Sequence, residues 1–111
     1  MALLTATSVP GGTAVNVTPV AANSTDTISA SDVGMHGALL VINNGGGSSI
    51  TATLSDPGTT RVGNAGTVTA QTIPAGQRRW LRVLPGHVNP ATGVATVTYS
   101  GTTSVTAELV R

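Results

Sequence analysis

The stretch Ile50-Thr51-Ala52-Thr53-Leu54-Ser55-Asp56-Pro57-Gly58 decides the fold class. Ile50, Ala52 and Leu54 alternate with polar neighbours, which gives an extended segment one apolar and one polar face, and Asp56-Pro57-Gly58 then ends it with turn-forming residues. A helix would need apolar positions three and four residues apart, and no segment sustains that period. Toward the N-terminus, Asn43 to Ser49 is a loop with three successive glycines. Before it, Ala38 to Asn43 is a continuous run of the kind found in a buried strand. Thr25 to Ser29 predicts a weaker strand, and Val15 and Val17 alternate with polar residues until Pro19. Toward the C-terminus, Val68 and Ala70 continue the rhythm to Ile73, and Pro74-Ala75-Gly76 turns the chain into Gln77-Arg78-Arg79-Trp80-Leu81-Arg82-Val83. Val94 to Tyr99, a turn at Ser100-Gly101, and Val105, Ala107 and Leu109 complete the pattern. About eight short strands at this spacing predict an all-β fold, a single β-sandwich with Greek-key or jelly-roll connections. Asn89 to Gly93 is expected to hold a single helical turn.

The composition agrees. Nineteen Thr and fourteen Val against two Met are β-forming material, because branched side chains fit a pleated surface better than a helix. At 111 residues the chain suits one domain with one core and needs no metal or disulfide staple. Met1 to Gly12 carries only the apolar pair Leu3-Leu4 before Pro10-Gly11-Gly12, so residues 1–12 are expected to form an extended N-terminal arm and residues 13–111 the sandwich. If Leu3 and Leu4 are buried on a partner, each contributes roughly 1.5 to 3 kcal/mol; a frayed terminus is the other reading.

Several classes are set aside. No run approaches eighteen apolar residues, so no membrane span is expected. The opening residues show neither a basic region nor a long apolar core, which predicts no secretory signal and synthesis in the cytoplasm. The absence of Cys excludes disulfides and thiolate metal sites.

The inventory for catalysis is His36, His87, Asp26, Asp32, Asp56 and Glu108, none of them in a recognised spacing. There is no Gly-x-Ser-x-Gly elbow, no phosphate loop and no His-Glu-x-x-His. His36 and His87 are expected in loops, Asp32 as a turn former, and Gly45-Gly46-Gly47 as a flexible turn. The reading is therefore not an enzyme, with no catalytic residue, metal or cofactor.

Only 8% of the residues are charged, against about a quarter in an average domain, yet Gln77 to Val83 holds three of the five arginines and the single Trp. Trp and Arg are the residues most enriched at binding hot spots. Strand alternation puts Arg79, Leu81 and Val83 on one face and Arg78, Trp80, Arg82 and Leu84 on the other. With Leu81 and Val83 in the core, Trp80 projects outward between Arg78 and Arg82, which then form an anchor for a partner. The inverse reading buries Trp80 and lets the arginines snorkel to the rim. Five arginines without a lysine, and only Trp80 and Tyr99 for stacking, are a poor footprint for nucleic acid. With no Lys to protect strand edges, those edges are expected to be covered by partners.

Met1-Ala2-Leu3-Leu4-Thr5, Thr18-Pro19-Val20-Ala21-Ala22 leading to Asp26-Thr27, Val41-Ile42-Asn43-Asn44-Gly45, Ile73-Pro74-Ala75-Gly76, Val97-Thr98-Tyr99-Ser100-Gly101 and Thr103-Ser104-Val105-Thr106 together resemble the capsid decoration, or cement, proteins of tailed phages infecting actinobacteria. The resemblance covers most of the chain. It implies a β-sandwich that binds the outer surface of an assembled shell of major capsid protein and stabilises it without catalysis, with a homo-oligomer, a trimer by preference, at three-fold positions. It implies a place in the virion and assigns no binding residues; Trp80, Arg78, Arg82, Leu3 and Leu4 are the partner-binding candidates from the residues themselves. The alternative is a tail, neck or fibre-associated β module that binds host-surface glycans or other virion proteins.

Overall fold

The computed structural model describes residues 2–59, 61–66 and 68–111. Met1, the first residue of the expected arm, and Thr60 and Thr67 within the expected sandwich lie outside them. The strands in chain order are β1 (Ala2–Leu4), β2 (Val20–Ala21), β3 (Thr25–Ser29), β4 (Ala38–Asn44), β5 (Ile50–Leu54), β6 (Gln71–Ile73), β7 (Arg78–Val83), β8 (Val94–Tyr99) and β9 (Val105–Val110), with a one-turn helix α1 (Ala30–Val33) between β3 and β4. A 3-10 turn at Pro85–His87 precedes β8.

These strands form two sheets, one in the order β1-β3-β8-β5-β6 and the other β2-β9-β4-β7. All pairs are antiparallel except β1 with β3. Apart from β1, the order is that of a jelly roll: each sheet interleaves strands from the two halves of the chain, and all connections from β2 onward except β5 to β6 cross between sheets. The structure thus confirms the all-β sandwich and selects the jelly roll among the expected connections.

The core follows from the period of two. Leu40 and Ile42 on β4, Val97 on β8, Ile28 on β3, Ile73 on β6 and Val83 on β7 are fully buried, and Val105, Ala107 and Leu109 on β9 join them. Aliphatic side chains dominate this core, with Tyr99 the single aromatic member. Gly37 leads the chain into β4 at φ +86, and a Cβ there would stand 2.7 Å from the Val83 carbonyl oxygen, so only glycine lets β4 begin this close to β7.

Among the described residues two polar side chains are fully buried, Asp26 and Asn44. Asn44 donates to the carbonyls of Ser48 (2.9 Å) and Ile73 (3.1 Å) and accepts from Gly46 N–H (3.1 Å). The glycine loop, expected to be a flexible turn, is therefore tied at its base to the end of β6. Asp26 accepts from the backbone N–H and the side-chain amide of Asn23. Burial, and secondarily the charge of Asp26, push the Tyr99 phenol well above its ordinary pKa.

Three expectations change. Val15 and Val17 lie in irregular chain, with Val15 exposed, because two apolar positions between Pro10-Gly11-Gly12 and Pro19 make no face large enough to bury. Val68 and Ala70 also precede their strand, since β5 offers β6 only Ile50 to Ala52 as partners. Ala30 to Val33, not foreseen as a helix, turns once and buries Val33 at 1% exposure.

The N-terminal segment docks on its own chain. Ala2 to Leu4 pair with Asp26 to Ile28 on one sheet. Thr7 and Val9 then reach the other sheet, where Thr7 N–H donates to Leu109 O (2.9 Å), Arg111 N–H to Thr7 O (3.1 Å) and Val9 N–H to Arg111 O (3.0 Å). The expectation that Leu3 and Leu4 sit together on a neighbour is corrected: Leu4 is 3% exposed inside this chain's core, while Leu3 points outward at 60%, as the alternation of a strand requires. Leu4→Ala should therefore destabilise the isolated protein by about 2 to 4 kcal/mol in urea denaturation, and Leu3→Ala by less than about 0.5 kcal/mol. Equal, small effects would return both leucines to a free arm.

Candidate functional site

Strand β7 is the last strand of its sheet, paired with β4 on one side only. Its register sets Arg78 against Asn43, Trp80 against Val41 and Arg82 against Leu39. Arg79, Leu81 and Val83 oppose Ile42, Leu40 and Ala38 on the inner face. Since Leu40, Ile42 and Val83 are fully buried, the alternate set must face out. Trp80 is 56% exposed, so the outward reading holds and the core-anchor reading falls.

This outer face extends across the sheet. Beyond Val41 and Leu39 lie Glu108 and Val110 of β9 in the same rows. Val41 faces outward yet is only 6% exposed, set between Trp80 and Glu108. The Trp80–Val41 pair is a non-hydrogen-bonded one, the type that brings opposite side chains closest. Leu84, at 46% exposure, extends the apolar row.

Arg79 stands apart from the other two arginines. Its guanidinium donates to the Arg78 carbonyl (2.9 Å) and to the Gln77 side-chain oxygen. Arg78 and Arg82 make no hydrogen bond or ion pair through their side chains among the described residues. At the far end of the face, a groove of about 370 Å³ is lined by Val9, His36, Gly37, Leu39, Arg82, Val110 and Arg111. Arg111 is held there by donation to Ser31 O (2.7 Å) and Ser8 Oγ (3.3 Å). The face thus sets an apolar strip between fixed and free guanidinium groups, with half-buried Glu108 as its acid.

The other candidates lie elsewhere. Leu3 sits on β1, at the opposite side of the sandwich from β7, and the structure does not bring it to Trp80. His87 accepts the Leu84 N–H through Nδ1 (3.0 Å) and lines a separate cavity of about 220 Å³ with Leu81 and Asp56, so the two histidines do not meet. Among the described residues no group of three His, Asp or Glu side chains is placed to hold a metal. Nor, among the described residues, is any helix long and apolar enough to cross a membrane.

Leu39, Val41, Val110 and Arg111 were not singled out by the sequence. For Leu39 and Val41 the signal is the run Ala38 to Asn43, apolar at both parities, whose outward half floors the Trp80 face; Val110 and Arg111 join the face only through the pairing of β9 and the groove at its end. No family model, curated protein or solved structure matches the chain, so the face is read from its own geometry.

Because Trp80 is about half exposed and packs over Val41, Trp80→Ala should cost about 1 to 2 kcal/mol of unfolding free energy, short of the roughly 3 to 5 kcal/mol lost when a core Trp is truncated. Acrylamide should quench the native protein's tryptophan fluorescence nearly as well as the unfolded chain's. A strongly protected Trp80, or a large loss of stability, would contradict the outward placement.

Proposed function

We propose that this chain is a structural virion protein that binds the outer surface of an assembled phage capsid and stabilises the shell by bridging major capsid protein subunits. The observation that carries the contact is the Trp80 face: a half-exposed Trp between two unpaired arginines, on an edge strand of an otherwise nearly uncharged module. The resemblance in sequence to cement proteins supplies the kind of partner. A trimer at three-fold positions is part of the same proposal.

The physical action is linkage. A protein that binds the assembled lattice and not the dispersed subunits adds its binding free energy to the stability of the shell. Trp80 offers a large rigid contact area at small entropic cost, and arginine forks recognise carboxylates in two-point geometry. The surface has little net charge, +1 overall, so the local arginine cluster sets the orientation of approach.

Quantifying this chain on purified particles, with Trp80→Ala beside wild type, tests both parts. The expected outcome is hundreds of wild-type copies per particle, at least a tenfold loss of affinity for the variant, and reduced resistance of variant particles to heat. Full occupancy by Trp80→Ala would remove it as the anchor, and a handful of wild-type copies would move the protein to the tail or neck.

A further inference from the structure

Strand β7 is open along its outer edge, and the same residues that carry the Trp80 face carry the free backbone groups. Asn44 N–H donates to Gln77 O at 2.9 Å, which marks that pair as hydrogen-bonded. Alternation along the β4–β7 register then directs the N–H and C=O groups of Arg79, Leu81 and Val83 to β4, and those of Arg78, Trp80 and Arg82 away from the sheet. The open stretch is closed at both ends by side chains: the Arg79 guanidinium occupies the Arg78 carbonyl (2.9 Å), and His87 Nδ1 takes the Leu84 N–H (3.0 Å). Between those stops the backbone of Trp80 and Arg82 has no strand beside it among the described residues.

An edge with unpaired backbone groups can add a strand from another chain. Charge decides which. A second copy added antiparallel about Trp80 would set Arg78 beside Arg82 of its twin at both ends, with Arg79 close by, and like charges directly opposite are destabilising. β7 therefore resists pairing with itself while it invites an acidic strand. An incoming strand in register presents one residue opposite each of Arg78, Trp80 and Arg82, all on the outer face.

We propose that β7 receives, by strand addition, an extended partner segment of the pattern acidic–x–apolar–x–acidic, its carboxylates on Arg78 and Arg82 and its apolar residue on Trp80. This rests on the reading of the Trp80 face as a partner contact and names how that partner is held. The backbone bonds give affinity and the alternate side chains give selectivity.

The test uses the full chain and a synthetic peptide, Thr-Glu-Thr-Val-Thr-Glu-Thr, with its Lys-for-Glu counterpart as control. The acidic peptide should shift the fluorescence of Trp80 and slow hydrogen exchange at the Trp80 and Arg82 amides at least tenfold; the basic peptide should do neither. Arg82→Ala removes charge and keeps the N–H, whereas Arg82→Pro also removes a donor that β4 does not use. Pro is tolerated at such edge positions, so Arg82→Pro should bind the peptide at least fivefold more weakly than Arg82→Ala. Hydrogen exchange on the wild type stands without either variant.

Unprotected edge amides at saturating peptide, or equal affinities of two folded variants, would overturn strand addition. Absence of peptide binding up to millimolar concentration would overturn it too. Particle binding that still requires Trp80 would then leave the capsid reading intact with a side-chain contact only. Dimerisation of the wild type abolished by Arg82→Pro would overturn the proposal in favour of a second copy.

Discussion

The register of β4 against its two neighbours is the constraint on which the rest of the structure depends. Leu40 and Ile42 must face the other sheet, and both are fully buried. A slip of one residue would expose them and turn Leu39, Val41 and Asn43 inward. With β4 fixed, β7 on one side and β9 on the other have no freedom of facing. Trp80 is outward because Leu81 and Val83 are held inward opposite Leu40 and Ala38. The Trp80 face is thus a consequence of how the core is packed, and the large side chain sits outside because the interior is filled without it.

The two sides of the sandwich are finished differently. On one, the N-terminal segment passes from β3 to the end of β9, tying both sheets through backbone bonds and inserting Leu4 between them. On the other, β6 and β7 end their sheets with no covering strand among the described residues. The chain spends its spare segment on one edge and arginines on the other. Arginines next to open backbone are a common device against unwanted strand pairing, and here they take the place of the missing lysines.

The sequence made most of the fold legible because alternation is strongest where burial is one-sided. β8 and β9 run from the residues expected, Val94 to Tyr99 and onward from Val105, since each has inward Val, Ala, Leu or Tyr and, apart from the terminal Val94 and Val110, outward Thr or Glu. Alternation over two positions was insufficient: Val15 and Val17 have the spacing of a strand but no neighbouring sheet to join. For the site, parity sorted Arg78, Trp80 and Arg82 onto one face but did not say which face was inside, because β7 carries apolar residues on both. The answer lay in its strand partner, a contact remote in sequence. Leu3 and Leu4 were separable by the same parity rule, yet only the pairing with β3 shows that this segment is a strand.

Energetics explain why a module this neutral would suit a repetitive partner, on the proposed reading. An exposed arginine–carboxylate pair is worth at most about 1 kcal/mol, and a single Trp contact with an added strand yields modest affinity once the entropy of ordering the partner is subtracted. A lattice changes the arithmetic. If several linked copies bind neighbouring sites, each later contact is intramolecular, and weak individual contacts multiply into tight occupancy without any one being strong. The like charges on β7 also keep the free protein from pairing with its own copies along that edge. Specificity for the assembled shell then arises from geometry, because only the lattice offers the repeated sites at the required separation.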